Sequence, residues 1–472
     1  MSARILHLIP QLGGGAGRAA LSVACSTRGA ELEVMLATLR PPHPGFLEQA
    51  SVAGLELLVA PAAEELEDAI RASDVVHLHY WNSPELTELL ERELPPARLL
   101  LWSHVAGNTA PQVIPSALLA GADAVVACTD GSQRGLLARA PAGTSVQVIP
   151  SVGGWDRIED VRRSDRDGFN VGYIGKLSFN KMHPDFAKLC ARIRAPDARF
   201  IVCGTGDAAS RLSEQAKELG LADRFELLGQ VEEIRAPLGD MDVFGYPLRS
   251  EDCAVGDLAL MEAMYAGVPP VVLPRGGAEE LVEDRRTGIV AGDLDAYVEA
   301  IERLHADPGE RRLLGDAARE TARARWTPEL LVPAWRSAYT ELMAQPKRSR
   351  GPILAPPPPG RAPGPARLLA GLGAEGEHFL TSANGTAEEA AEADRWIAGC
   401  SAAVGVSDGG ILDHRRRYPE DPMLALWTGL YLARTGRPAL AAGSLAQARR
   451  MGLPAERVKR LMRELAGAGS AA

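Results

Sequence analysis

Short, continuously apolar runs alternate with amphipathic stretches through residues 4–343, and this alternation constrains the fold more than any other feature. Residues 4–9, 32–38, 55–59, 75–79, 99–103, 124–128 and 145–149 are too short for core helices. They are also too uniformly apolar for strands with one wet face. Helix-like segments such as 17–25 and 84–93 separate them. Strands of this kind with crossover helices predict a parallel sheet covered on both faces. The pattern breaks at 152–168, around Gly153-Gly154 and a charged stretch, and then restarts with strands expected at 169–174, 198–203, 225–228, 243–246 and 270–273. The fold class is therefore α/β, with two doubly wound domains at 1–160 and 161–343. Ligands of such sheets sit beyond the carboxyl ends of the strands, so two facing units predict a site in the cleft between them.

The character changes at 344–367. This stretch holds eight prolines and five Lys or Arg without an acidic residue. It cannot build a core and reads as an extended, solvated tether of polyproline type, with membrane-surface or partner docking as a second use of its charge. Residues 368–472 read as an all-α module. Gly429, Ala441, Leu445 and Ala448 follow the small-residue spacing of a tetratricopeptide repeat, with Trp427 nearby and a degenerate unit expected from Thr386. A plain helical hairpin fits the same residues. In either case one unit cannot bury its own face and must pack on a neighbour.

The net charge of −10 argues against a protein built to bind nucleic-acid backbones. Six dispersed cysteines without a Cys-x-x-Cys pair fit buried thiols in a reducing compartment and provide no structural zinc site. The first residues run directly into a strand pattern without a signal-peptide core, and no apolar run is long enough to span a bilayer. The expected location is the cytoplasm, with peripheral contact at the inner membrane face as the variant that the basic tether would support.

Five places carry chemistry. After the first strand, Gly13-Gly14-Gly15-Ala16-Gly17 leads into a helix, where backbone amides and the helix dipole favour an anion. The dinucleotide fingerprint is absent, since no acidic residue follows the second strand, and a simple tight turn accounts for the glycines equally well. In the second unit, Gly175-Lys176-Leu177 and Lys181 follow its first strand. These are two of only six lysines among 51 basic residues. Two ammonium groups there can neutralise a diphosphate without a metal. The next strand closes with Gly204-Thr205-Gly206. Glu262 lies in a helix otherwise made of Leu, Ala, Met and Tyr, where a carboxylate must find donors, either ribose hydroxyls or backbone amides. His104 ends a strand of the first unit at a cleft position suited to a sugar hydroxyl. His77 and His79 share one strand face, but no third ligand is evident in the sequence, so no metal site is expected. Neither a Gly-x-Ser-x-Gly elbow nor a Walker A motif is present.

The order of these pieces resembles the retaining family 4 glycosyltransferases, two facing Rossmann-like domains of GT-B type. The resemblance covers about residues 4–343. Gly13–Gly17 is similar to the family's N-terminal loop, which implies donor contacts at Gly14 and Gly15. His104 matches the histidine near the transferred sugar. Gly175-Lys176-Leu177 with Lys181 resembles the family's Gly-Arg-Leu followed by Lys, with lysine in place of arginine. Gly204 and Gly206 match its Gly-x-Gly turn, and Glu262-Ala263-Met264-Tyr265-Ala266-Gly267 matches the second glutamate of its Glu-x7-Glu motif. Gly276-Gly277, Glu279 or Glu280, and Gly288 fit the segment that follows. The first glutamate departs from the pattern: eight positions before Glu262 stands Ala254, whereas Glu251 stands four after Pro247 with three extra residues in the loop.

The resemblance implies transfer of a sugar from a nucleoside-diphosphate sugar to an acceptor hydroxyl, with no cofactor and no metal. It casts His104, Glu251 and Lys181 as catalytic residues. Donor binding falls to Gly14, Gly15, Gly175, Lys176, Lys181, Gly204, Gly206 and Glu262, with the base near Gly229-Gln230-Val231. The acceptor is unidentified, and glycan, glycolipid or glycoconjugate synthesis is the expected setting. Three alternatives stay open: a catalytically weak sugar-nucleotide binder, an epimerase of the same build, and a scaffold that recruits a protein partner through 368–472.

Overall fold

The computed structural model describes residues 2–165, 167–249, 255–405 and 408–468. In the first domain seven parallel strands lie side by side in the order Glu56–Val59, Leu32–Thr38, Ala3–Ile9, Val75–Tyr80, Leu99–Ser103, Ala124–Ala127, Val146–Val148. In the second, six follow the order Phe225–Gly229, Ala198–Cys203, Phe169–Ile174, Val243–Tyr246, Pro270–Val272, Ile289–Val290. Each sheet starts in its middle and winds outward both ways. The reversal point, where ligands sit in such sheets, thus falls beside the first strand of each unit.

Alternation along the strands explains their unbroken hydrophobicity. Leu6 and Leu8 enter one buried cluster with Val76, Leu78, Leu99 and Leu101, while Ile5 and Ile9 enter the other with Leu100 and Trp102. Both faces are dry, so both parities must be apolar. His7, His77 and His79 have the parity of Ile5 and Ile9 and are fully buried.

The helix Pro328–Met343 buries Leu331, Trp335, Ala338, Tyr339 and Leu342 along one stripe. It packs against the helix Gly14–Thr27, and its Tyr339 and Trp335 reach His77 of the first sheet. Although it closes the second repeat in sequence, its side chains complete the first domain's core.

The Pro-rich stretch is not the solvated tether expected from its composition. Arg348–Arg350 pairs antiparallel with Leu94–Ala97, and Leu354 donates its amide to Leu90 O at 2.9 Å. The Arg350 guanidinium, about 10% exposed, bonds Gly121 O, Ala97 O and the Asp123 carboxylate. Arg348 also reaches Asp123, Lys347 reaches Arg71 O, and Arg367 reaches Glu88 and Glu91. Polar anchors spaced between the prolines therefore lay the segment down on the first domain, and four of its five cations are engaged there. Composition reported the prolines but not these partners, which are distant in sequence.

The all-α module follows: Pro363–Leu372, Gly376–Asn384, Ala387–Gly399, Ile411–Arg417, Pro422–Arg434, Pro438–Arg450 and Ala455–Ala468. The pair with repeat-like spacing packs tightly; a Cβ on Gly429 would lie 2.7 Å from Leu445 Cγ. Upstream, Gly376–Asn384 packs against Ala387–Gly399, so this pair begins before the unit expected from Thr386, the residue that opens its second helix through a Thr386–Glu389 capping box. The module has its own core around Phe379, Trp427 and Leu430 and docks on both α/β domains. Among the described residues no helix is long and apolar enough to cross a membrane.

Candidate active site

At the carboxyl edge of the second sheet two turns lie back to back. Gly175-Lys176-Leu177 follows Phe169–Ile174, and Gly204-Thr205-Gly206 follows Ala198–Cys203. Gly175 N–H donates to Cys203 O at 3.0 Å and Leu177 N–H to Thr205 O at 2.9 Å. Gly204 has φ +141°, and a Cβ there would stand 1.8 Å from Gly175 O; one on Gly206 would stand 2.2 Å from Leu177 O. These two glycines are required by the backbone itself, which shapes the edge on which Lys176 is displayed. Gly204 N–H donates to Gly229 O at 2.7 Å, and the half-buried Val231 packs on the core just beyond.

Both lysines hold carboxylates. Lys181 Nζ is 2.8 Å from Asp257 Oδ1, which also accepts from Tyr246 OH at 3.0 Å. Asp257 is buried and its Oδ2 has no hydrogen-bond partner. Lys176 Nζ is 2.6 Å from Asp408 Oδ2, a residue of the helical module. Burial opposes the Lys176 charge, and Asp408 together with the nearby Asp207 and Asp413 more than offsets it, so its pKa stands above the usual lysine value. The sequence did not reveal Asp257 or Asp408. Asp257 lies one residue before the helix Leu258–Tyr265 and reads as a routine helix start, while Asp408 comes from a different domain.

Glu262 is 4% exposed. Arg157 Nη2 approaches its Oε1 at 3.2 Å without the alignment of a hydrogen bond, leaving that oxygen unpartnered. Burial raises the Glu262 pKa above the usual carboxylate range, opposed by the nearby charges of Arg157 and Arg18. The oxygen faces Gly153, where a Cβ would lie 3.5 Å away. The carboxylate thus stands where the connector between the domains meets the first helix of the first domain, whose Ser22 hydroxyl donates to Gly153 O at 3.2 Å. That helix, Gly14–Thr27, begins at the glycine loop with no side-chain cap; Gly14 has φ +58°, and both Gly14 and Gly15 face open space.

His104 closes a ladder of buried rings. Its Nε2 meets His79 Nδ1 at 2.9 Å, His79 Nε2 meets His7 Nδ1 at 3.0 Å, His7 Nε2 lies 3.4 Å from Tyr339 OH, and Tyr339 OH meets His77 Nδ1 at 2.9 Å. Burial depresses all four histidines, His7 and His104 to about 3, and they are neutral at physiological pH. His104 is held edge-on by His79 and packed against Trp102, its ring centroid 4.4 Å away. The third imidazole, not evident in sequence, is His7: strand register sets it directly beside His77. Among the described residues, His7, His77 and His79 form the one group whose nitrogens lie close enough to share a metal, all within 4.8 Å. The rings of His77 and His79, however, stack at 4.5 Å and 8°. Their in-plane lone pairs run parallel and do not converge on one ion, so the geometry favours the hydrogen-bonded ladder.

Glu251 and Ala254, the two registers for the family's first glutamate, lie outside the described residues. Glu280, from the segment after Glu262, accepts from Gly131 N at 3.0 Å and pairs with Arg134 at 3.1 Å, joining the two domains at another point of their interface.

Residues 156–321 match the family model described as glycosyl transferases group 1. Over 143 residues the chain is 33% identical to a GDP-mannose-dependent alpha-(1-6)-phosphatidylinositol monomannoside mannosyltransferase of Mycolicibacterium smegmatis, covering 29% of this chain and 37% of that protein. Over 303 residues it is 26% identical to a D-inositol 3-phosphate glycosyltransferase of Salinispora tropica, covering 54% and 62%. The chain therefore spans less than two thirds of the length of these curated relatives. Among solved structures, Anabaena HepE in complex with UDP and glucose aligns with a TM-score of 0.60 at 17% identity, covering 72% of this chain and 100% of that one. The lipopolysaccharide-biosynthesis glycosyltransferase WaaG aligns at 0.53 with 14% identity, covering 71% and 99%. At such identities these two similarities concern the fold, and they agree with the paired parallel sheets.

Proposed function

We propose that this chain, which belongs to the group 1 (family 4) glycosyl transferases, moves a sugar from a nucleoside-diphosphate sugar to an acceptor hydroxyl with retention of anomeric configuration. The observation that carries the reading is the pair of lysines at the carboxyl edge of the second sheet, each holding a carboxylate where a donor diphosphate belongs. Glu262, with one unpartnered buried oxygen, supplies the acceptor that ribose hydroxyls require. The uncrowded glycines Gly14 and Gly15 at the start of the first helix and the neutral, fixed His104 belong to the first domain's side of the cleft.

In the proposed reaction the C1–O bond to the diphosphate breaks, the electron pair leaving with the phosphate oxygen. The acceptor oxygen bonds C1 from the same face, and its proton passes to the departing phosphate. Lys176 and Lys181 stabilise the charge that grows on the leaving group; an electrostatic contact made mainly in the transition state is worth on the order of 3 kcal/mol. His104 orients the donor sugar, and Glu251 is the candidate for a second sugar contact. Two ammonium groups supply the positive charge, so the scheme needs no metal. A sugar-binding scaffold without catalysis is the less favoured reading, because the family match extends through both lysines and Glu262.

The test is incubation of the full chain with UDP- and GDP-sugars and a panel of sugar, inositol and lipid-linked hydroxyl acceptors, with the product's anomeric configuration read by NMR. Release of nucleoside diphosphate with an axial product from an axial donor supports the proposal. An equatorial product would refute retention, and epimerised free sugar would point to the isomerase chemistry of the same fold.

A further inference from the structure

The helical module grips the two α/β domains very differently. On the first domain the contacts are dense and buried. Arg367 pairs with Glu91 at 2.6 Å, with side chains 15% and 7% exposed. Asp413, fully buried, pairs with Arg40 at 2.8 Å. Asn82 Nδ2 donates to Gly409 O at 3.2 Å and Gln112 Nε2 to Asp408 O at 2.6 Å. A Cβ on Gly409 would lie 2.5 Å from Asn82 O, so this loop is seated directly on the end of the strand Val75–Tyr80. Among the described residues, the contacts with the second domain are fewer and wetter. Lys176–Asp408 has side chains 42% and 55% exposed, and Arg437–Asp207 at 3.0 Å has side chains 29% and 37% exposed. Arg211 Nη1 adds a 3.4 Å bond to Thr435 O.

This asymmetry makes the module a rigid extension of the first domain with a breakable contact to the second. The breakable contact falls on the lysine that the proposed function assigns to the donor diphosphate. We propose that Asp408 is an autoinhibitory latch: in the empty enzyme its carboxylate occupies Lys176, and a nucleoside diphosphate must displace it to bind. The inference rests on that assignment of Lys176. A diphosphate carries more charge and more acceptor oxygens than one carboxylate, so the exchange favours the ligand while the latch taxes its affinity. With Asp408 displaced, the module is held by its first-domain contacts and moves with that domain.

The tax is small because the pair is half exposed. Exposed ion pairs correspond to about 2- to 5-fold in an equilibrium constant. The experiment titrates UDP and GDP, and uridine and guanosine as controls, into the full-length wild type and the Asp408→Asn and Asp408→Ala variants at low salt. The expected result is about 2- to 5-fold tighter diphosphate binding in both variants, unchanged nucleoside binding, and a gap that narrows as salt screens the pair. Equal or weaker diphosphate binding in the variants, with wild-type binding intact and unfolding temperatures unchanged, would overturn the latch. Absence of diphosphate binding in all three proteins would instead overturn the donor-site reading, and the latch with it.

Discussion

Lowering the pH from 6.5 to 5.5 should remove about 4 kcal/mol of stability from this protein through the histidine ladder alone. His7, His77 and His79 are fully buried, and His104 is depressed with them. Their folded pKa values lie below the unfolded one near 6.5. The stability they contribute is therefore present above pH 6.5 and lost as the pH falls toward the folded values. Over that one unit an unfolded histidine goes from half to mostly protonated while the folded ones stay neutral, a linkage of about 1 kcal/mol each. Four of them sum to a large fraction of the roughly 5–15 kcal/mol that typically holds a domain together. Urea denaturation followed by tryptophan fluorescence, which reports Trp102 and Trp335 beside the ladder, measures this directly at each pH. The His77→Gln variant is less stable at pH 7.5 but should lose only about three quarters as much on acidification. A midpoint unchanged between pH 6.5 and 5.5, or a variant with the full wild-type pH dependence, would refute the neutral ladder.

Other outcomes follow from the site and its supports. Glu262→Gln should weaken ribonucleotide binding more than binding of the 2′-deoxy analogues; equal losses in calorimetry would make the carboxylate structural. Gly204→Ala should cost about 3 kcal/mol or more, since a Cβ 1.8 Å from Gly175 O combines overpacking with a backbone that alanine resists, and thermal unfolding reads it. Arg350→Ala removes one of the two guanidinium partners of the buried Asp123 carboxylate, Arg348 remaining, and should cost about 2 kcal/mol, with protease cleavage appearing in 344–362. Glu251→Ala should lower turnover far more than affinity for bare UDP or GDP, and unchanged turnover would remove Glu251 from the site.

The two sheets were legible because strands dry on both faces leave an unbroken apolar record. Ala198–Cys203 and Val243–Tyr246 appear at the expected residues. The short strands Leu94–Ala97 and Ile289–Val290 were not, since two prolines sit in the first and two residues make no pattern in the second. The glycine turns and lysines were legible as candidate site material because they are local to one strand end. What escaped was held by distant partners: His7 joins His77 only through strand register, Asp408 reaches Lys176 from another domain, and Arg350 finds Asp123 across the connector. The basic, Pro-rich composition pointed to a free tether because charge counts do not show where the opposite charges lie. Gly204 and Gly206 were read as ligand contacts, but their first duty is backbone packing, which spacing alone does not separate from phosphate binding.

The central claim, that the lysine-bearing edge of the second sheet receives a donor diphosphate, is tested most directly by calorimetric titration of wild type and Lys181→Ala with UDP, GDP and the corresponding nucleosides. The account predicts that the variant loses about tenfold or more in diphosphate affinity, the scale of one charge-assisted contact, while nucleoside affinity is retained. Equal losses for nucleoside and diphosphate, or no loss for either, would contradict it.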